Sequence, residues 1–286
     1  MTNLKLIECP RDAMQGLHEF IPTNVKAKYI NQLLKVGYDT IDFGSFVSPK
    51  AIPQMKDTAE VLSQLNLADT QSNLLAIIAN QRGANDAVQF EEITYLGYPF
   101  SVSETFQQRN TNSSIDESLS RVEQIKEIAE KHNKQMVVYL SMAFGNPYGD
   151  VWDADIVATW SEVLKDKFEI KILALSDTIG VSNPKNITQL FSTLIKDMPA
   201  IEFGAHLHST PEKAYQKVEA AYQAGCRRFD GAIKGYGGCP MAKDDLTGNM
   251  PTEIMLDFFA ENNIQTGLNQ NQFNQSMIDA LNVFPI

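Results

Sequence analysis

A (β/α)8 barrel (TIM barrel) of the α/β class, with additional C-terminal helices, is the fold the sequence predicts, on three observations. Short β-like apolar runs recur eight times along the chain, and amphipathic helix-like segments fill most of the gaps. Polar residues suited to chemistry gather at the predicted strand ends, where a barrel of this kind carries its active site. Eight strand-helix units occupy about 250 residues, so the rest of the 286-residue chain forms helices near 251–284. An open doubly wound sheet shares the alternation; the count of eight and the placement of the polar residues favour closure. No linker, low-complexity tract or charge block marks a boundary, so residues 1–286 read as one domain with a helical extension.

The predicted strands are LKLIEC (4–9), TIDFG (40–44), NLLAIIA (73–79), EITYLG (92–97), MVVYLSM (136–142), IKILALS (170–176), IEFGAHLH (201–208) and RRFDGAI (227–233). Between them, 24–37, 114–133 and 211–225 show helical periodicity, with Gly37 and Gly225 where a helix C-terminus favours glycine. Ser114 followed by Glu117 fits a capping box, in which side chain and backbone satisfy each other's free groups at a helix start.

Composition narrows the function. A chain that is 43% apolar can build a substantial core, and its apolar runs are far shorter than the roughly 18 residues that would span a bilayer, so no membrane partner is expected. A net charge of −11 argues against nucleic acid, which is bound through Lys and Arg neutralising phosphates. The N-terminus lacks the pattern of a secretory signal, and the expected location is the cytoplasm. Three scattered cysteines, Cys9, Cys226 and Cys239, make neither a disulfide framework nor a Cys-rich zinc site.

The strand ends carry the chemistry. His206 and His208 are two apart on a strand, with Cα atoms about 6.5 Å apart and side chains on one face. Both imidazoles can aim at one ion, or serve packing and hydrogen bonding. Arg11 and Asp12 follow the first strand, which neighbours the eighth in a closed barrel, so the carboxylate can reach the same ion; an ordinary ion pair or loop cap is the alternative. Two imidazoles, a carboxylate and an asparagine amide oxygen form a mixed set that suits Mg2+ or Mn2+. Asp42, an acid in an apolar strand, is costly unless paired or functional. Asp177 either caps the next segment or joins the site. Cys239 lies in a glycine-rich loop, GYGGCPMA, flanked by Lys234 and Lys243, as a proton-transfer group or as a passive turn residue.

Taken together, PRDAMQ, GSFVSPKAIPQM (44–55), LSDTIGV (175–181), AHLH (205–208), GYGGCP (235–240) and TGN (247–249) resemble 3-hydroxy-3-methylglutaryl-CoA (HMG-CoA) lyases of the DRE-TIM metallolyase superfamily, collinearly from about residue 4 to 282. The resemblance implies cleavage of an acyl-CoA substrate, HMG-CoA, to acetyl-CoA and acetoacetate with Mg2+ or Mn2+. It further implies Asp12, His206, His208 and Asn249 as metal ligands, Arg11 as the cation beside the developing enolate, and Cys239 as a proton-transfer group, with Asp42 at the position of a functional glutamate. Such a cleavage needs a base for the hydroxyl proton, a Lewis acid, a cation near the thioester oxygen and an acid to quench the carbanion. His206 or Asp12, the ion, Arg11 and Cys239 fill these roles.

Four positions depart from the family pattern. Ala13 replaces a glycine, Asp42 is one methylene shorter than glutamate, Ser209 stands where an aspartate follows H-x-H, and Lys234 replaces a small residue. An acyl-transferring synthase of the same superfamily, or a homologue that has lost turnover, are the competing readings. The C-terminal helices are expected to cover a homo-oligomer interface, a dimer.

Overall fold

The strands form where β-branched, aromatic and leucine residues cluster in runs bounded by polar turns, and parallel pairing forces each return through a helix. In the computed structural model, which describes residues 4–238 and 247–284, the elements alternate as β1 (Lys5–Glu8), α1 (Pro10–Gln15), α2 (Thr23–Leu33), β2 (Thr40–Ser45), α3 (Thr58–Leu62), β3 (Asn73–Ile77), α4 (Gln81–Ala87), β4 (Ile93–Ser101), α5 (Glu104–Thr111), α6 (Ile115–Lys131) and β5 (Gln135–Ser141). There follow α7 (Ala154–Phe168), β6 (Ile172–Asp177), α8 (Pro184–Asp197), β7 (Glu202–Leu207), α9 (Pro211–Gln223), β8 (Arg228–Gly231), α10 (Thr252–Glu261) and α11 (Gln270–Ala280). The strands close in sequence order into a parallel barrel, β8 pairing with β1. The predicted strands all appear, with ends shifted by a few residues, as expected where the last pairing rather than local sequence sets a boundary.

Two apolar layers result. Residues such as Leu6, Ile41, Leu74 and Phe229 point outward into the large core shared with the helices. Leu75, Tyr95, Val137, Tyr139, Ile172 and Ala174 form a separate cluster, packed inside the barrel. Both capping bonds at Ser114 and Glu117 are present, and Gly37 and Gly225 adopt positive φ. α11 packs on α2, where Gln32 Nε2 donates to the Gln272 carbonyl at 3.0 Å. Phe284 sits edge-on to Tyr29 and stacks on Tyr236.

Candidate active site

Strand alternation places Asp42, His206, His208 and Asp230 toward the barrel axis at its C-terminal end. Pro10 opens α1 directly after β1, and its first turn carries Arg11 and Asp12 across that rim. Ala13 is an ordinary helical residue there, because the turn is a helix and needs no positive φ.

Arg11 is buried and almost wholly engaged. Its Nε lies 3.1 Å from both Asp42 carboxylate oxygens, Nη2 lies 2.5 Å from Oδ2, and Nη1 donates to Asp12 Oδ1 at 2.9 Å and Gln15 Oε1 at 2.8 Å. Burial pushes the Asp42 carboxyl up to about 6, with Arg11 pulling the other way. Burial also opposes ionisation of Asp12, yet the charges of Arg11, His206 and His208 hold its carboxyl below the usual range. The shorter Asp42 side chain is thus taken up by the guanidinium.

Asp12, His206 and His208 present ligand atoms all within 4.8 Å of one another. Asp12 Oδ2 and His208 Nδ1 are buried and without hydrogen-bond partners. Burial pushes His208 down to about 4, with His206 adding to the effect, so its imidazole is neutral and free to ligate at neutral pH. Asn249 is bridged to His208 in antiparallel fashion, and its Nδ2 donates to the Tyr236 carbonyl at 2.8 Å, which leaves Oδ1 as a donor atom for an ion. One carboxylate oxygen, two imidazoles and an amide oxygen fit a divalent cation with positions left for substrate.

Asp177 is a cap. It accepts from Val181 N at 2.9 Å, Ser182 N at 3.0 Å and Lys217 Nζ at 2.9 Å, and Lys217 also donates to the His208 carbonyl at 2.8 Å. The Ser209 Oγ, where the family pattern has an aspartate, donates to the Thr210 carbonyl at 2.9 Å, and its backbone N–H donates to the Gly248 carbonyl at 3.0 Å. Cys239 lies outside the described residues. Lys234, at φ 59°, donates its backbone N–H to Glu253.

Sequence reasoning passed over Asp230. Its Oδ2 lies 3.1 Å from His206 Nδ1, and it is buried. The signal was present, since Asp230 interrupts the apolar strand RRFDGAI in the way Asp42 interrupts its own. Gln15, bridging Arg11 and Asp12, gave no comparable signal.

Above these groups opens a cavity of about 430 Å3, floored by Arg11, Asp12, His206 and His208 and walled in part by Ser48, Asn80 and Arg109. Arg109 lies over the Tyr148 ring, 4.6 Å from its centroid. Arg109 adds a cation at the cavity wall, whereas Arg11 is already engaged by Asp42 and Asp12.

A parallel (β/α)8 barrel with an Arg-Asp turn after β1, an H-x-H at the end of β7 and an asparagine facing it defines a barrel enzyme with a candidate metal centre at its C-terminal rim. The chain belongs to the HMGL-like family, whose model matches residues 4–278. It is 34% identical to the hydroxymethylglutaryl-CoA lyase YngG of Bacillus subtilis over 91% of this chain and 85% of that protein. It is also 34% identical to the mitochondrial hydroxymethylglutaryl-CoA lyase of Bos taurus, over 93% of this chain and 81% of that one. Among solved structures, an HMG-CoA lyase from Acenitobacter baumannii in complex with coenzyme A and 3-methylmalate superimposes with a TM-score of 0.91 at 30% identity, covering 98% of this chain and 91% of its own. The Bacillus subtilis HMG-CoA lyase gives a TM-score of 0.91 at 32% identity, covering 99% and 94%.

Proposed function

We propose that this protein is a Mg2+- or Mn2+-dependent lyase that cleaves HMG-CoA to acetyl-CoA and acetoacetate. The observation that carries this reading is the convergence of Asp12, His206 and His208, with two buried donor atoms left without partners, beside a guanidinium at the floor of the cavity. The lyases named above support the substrate, and the relative solved with coenzyme A supports an acyl-CoA in the cavity.

Asp12, His206, His208 and Asn249 would hold the ion, which would supply Lewis-acid chemistry when bound. Arg11, held rigidly by Asp42, places a fixed positive charge where the enolate of the leaving acetyl-CoA collects its electrons. Asp12 takes the proton from the C3 hydroxyl, whose electrons form the ketone of acetoacetate as the C2–C3 bond breaks; His206, with Nδ1 on Asp230 and Nε2 toward the ion, keeps no lone pair for that step. Cys239 delivers the proton that quenches the carbanion at C2. The buried floor strengthens each of these electrostatic effects.

The exposed side chains of Ile278 and Leu281 on and just after α11 support a homodimer through the C-terminal helices. No helix among the described residues is long and apolar enough to cross a membrane, and the bacterial relatives support a cytoplasmic location.

Acetoacetate release from HMG-CoA, coupled to an NADH-dependent reductase, tests the reading. Activity restored to metal-stripped protein by Mn2+ or Mg2+ is the expected result. Thiol release from acetyl-CoA with a 2-oxoacid, and no acetoacetate from HMG-CoA, would overturn it in favour of a synthase.

A further inference from the structure

The register of β7 against β8 sets Gly204 beside Arg228 and His206 beside Asp230. All four face the barrel axis, so the two β8 side chains form a column beneath the cavity floor. At its top, Asp230 Oδ2 is 3.1 Å from His206 Nδ1, while Oδ1 is buried and unpartnered. One step down, Arg228 is fully buried. Its Nη1 reaches Glu202 Oε1 at 3.1 Å and the guanidinium lies 5.8 Å from the Tyr95 ring centroid, but Nε and Nη2 have no hydrogen-bond partner, nor does the hydroxyl of Tyr139. Gly204 makes this possible, since a Cβ there would lie 3.0 Å from Arg228 Cδ.

We infer that Asp230 is a positioning residue that holds His206 with Nδ1 protonated and Nε2 free to ligate, and that buried Arg228 supplies the charge that balances it. An imidazole that donates one N–H to a carboxylate has its tautomer and ring plane set, and its other nitrogen becomes a better ligand. The Arg228 guanidinium, one residue pair below on the same strand, sets a positive charge beneath that carboxylate. The groups left unpaired, Asp230 Oδ1, Tyr139 Oη and Arg228 Nη2, are of the kind that a bound water joins in barrel interiors.

The inference rests on His206 being a metal ligand, but its tautomer can be read without metal. In 15N-histidine-labelled, metal-free protein at an alkaline pH where the ring is neutral, His206 is expected to show protonated Nδ1 and bare Nε2, with the resonances assigned by loss in His206→Gln. A ring protonated at Nε2 alone overturns the inference, whatever the fate of the lyase reading. Asp230→Asn is expected to bind Mn2+ roughly 10- to 100-fold more weakly, followed by electron paramagnetic resonance of the free ion. Unchanged affinity in folded Asp230→Asn also overturns it. Arg228→Met is expected to weaken Mn2+ binding in the parent protein and to add little in the Asp230→Asn background. Independent, additive effects would separate Arg228 from the column. If Asp230→Asn does not fold, the tautomer measurement on the unsubstituted protein decides.

Discussion

Arg11 grips Asp42 side-on, its Nε 3.1 Å from both carboxylate oxygens and its Nη2 2.5 Å from one of them, across the junction of α1 and β2. Of the five N–H groups of a guanidinium, two are directed at Asp42, and the two on Nη1 at Asp12 and Gln15. Among the described residues, one N–H on Nη2 is left over, on a side chain that lines the cavity. The guanidinium is therefore held in place by its own neighbours.

Asp42→Ala leaves that guanidinium buried with half its partners gone. Loss of one member of a buried pair costs about 3–5 kcal/mol, so a fall of that order in unfolding free energy is expected by urea denaturation, with acetoacetate formation lost. Asp42→Glu restores the charge and is expected to recover most of the stability. An Asp42→Ala protein as stable as its parent would show that Arg11 finds other partners.

Asp12→Asn keeps the shape and removes the only carboxylate of the three-residue ligand cluster. The charge of a hard ligand is most of what it offers a divalent cation, so Mn2+ affinity measured by calorimetry is expected to fall about 100-fold or more. The barrel, judged by far-ultraviolet circular dichroism, is expected to stay intact.

Gly237 has φ of 92°, and a Cβ on it would lie 2.7 Å from the Asp12 carbonyl and from Ala13 Cα, and 2.8 Å from Asn249 Nδ2. Gly237→Ala is expected to push the rim apart, and a displacement near 1 Å at such a site costs about 100-fold in kcat. Gly16→Ala is the control, because nothing lies within 4 Å of a Cβ there and its φ of −87° suits any residue. Its kinetics are expected to match the parent.

Glu8 accepts hydrogen bonds from Ile233 N at 2.8 Å and Thr252 Oγ1 at 2.7 Å, tying β1 to the start of α10. Burial nevertheless pushes its carboxyl up from 4.5 to about 8. Between those values the folded chain keeps a proton that the unfolded chain has released, so stability is expected to fall as pH rises from about 4.5 to about 8 and then level off. Glu8→Gln, which cannot ionise, is expected to flatten that slope in thermal melts taken across the same range. A parent protein whose melting shows no decline there, relative to Glu8→Gln, would mean that the carboxylate is solvated in the folded state.

Much of this was legible along the chain because the rules involved act over a few residues. The two-residue repeat of a strand puts His206 and His208 on one face, Ser114 and Glu117 cap each other three residues apart, and Pro10 starts the helix that bears Arg11 and Asp12. Other features depended on neighbours distant in sequence. Ala13, standing where the family has glycine, proved helical, and Asp177 is held by Lys217 from a later helix.

The sequence by itself determined the alternation of strand and helix, the count of eight, and which residue types reach the rim. Tertiary structure alone decided the pairings: Arg11 with Asp42 rather than with solvent, and His206 with Asp230, 24 residues away. The physical reason lies in closure. Strand pattern decides which face a side chain takes, but only the register between β7 and β8, set by packing around the whole barrel, decides which side chain stands beside it at the same height.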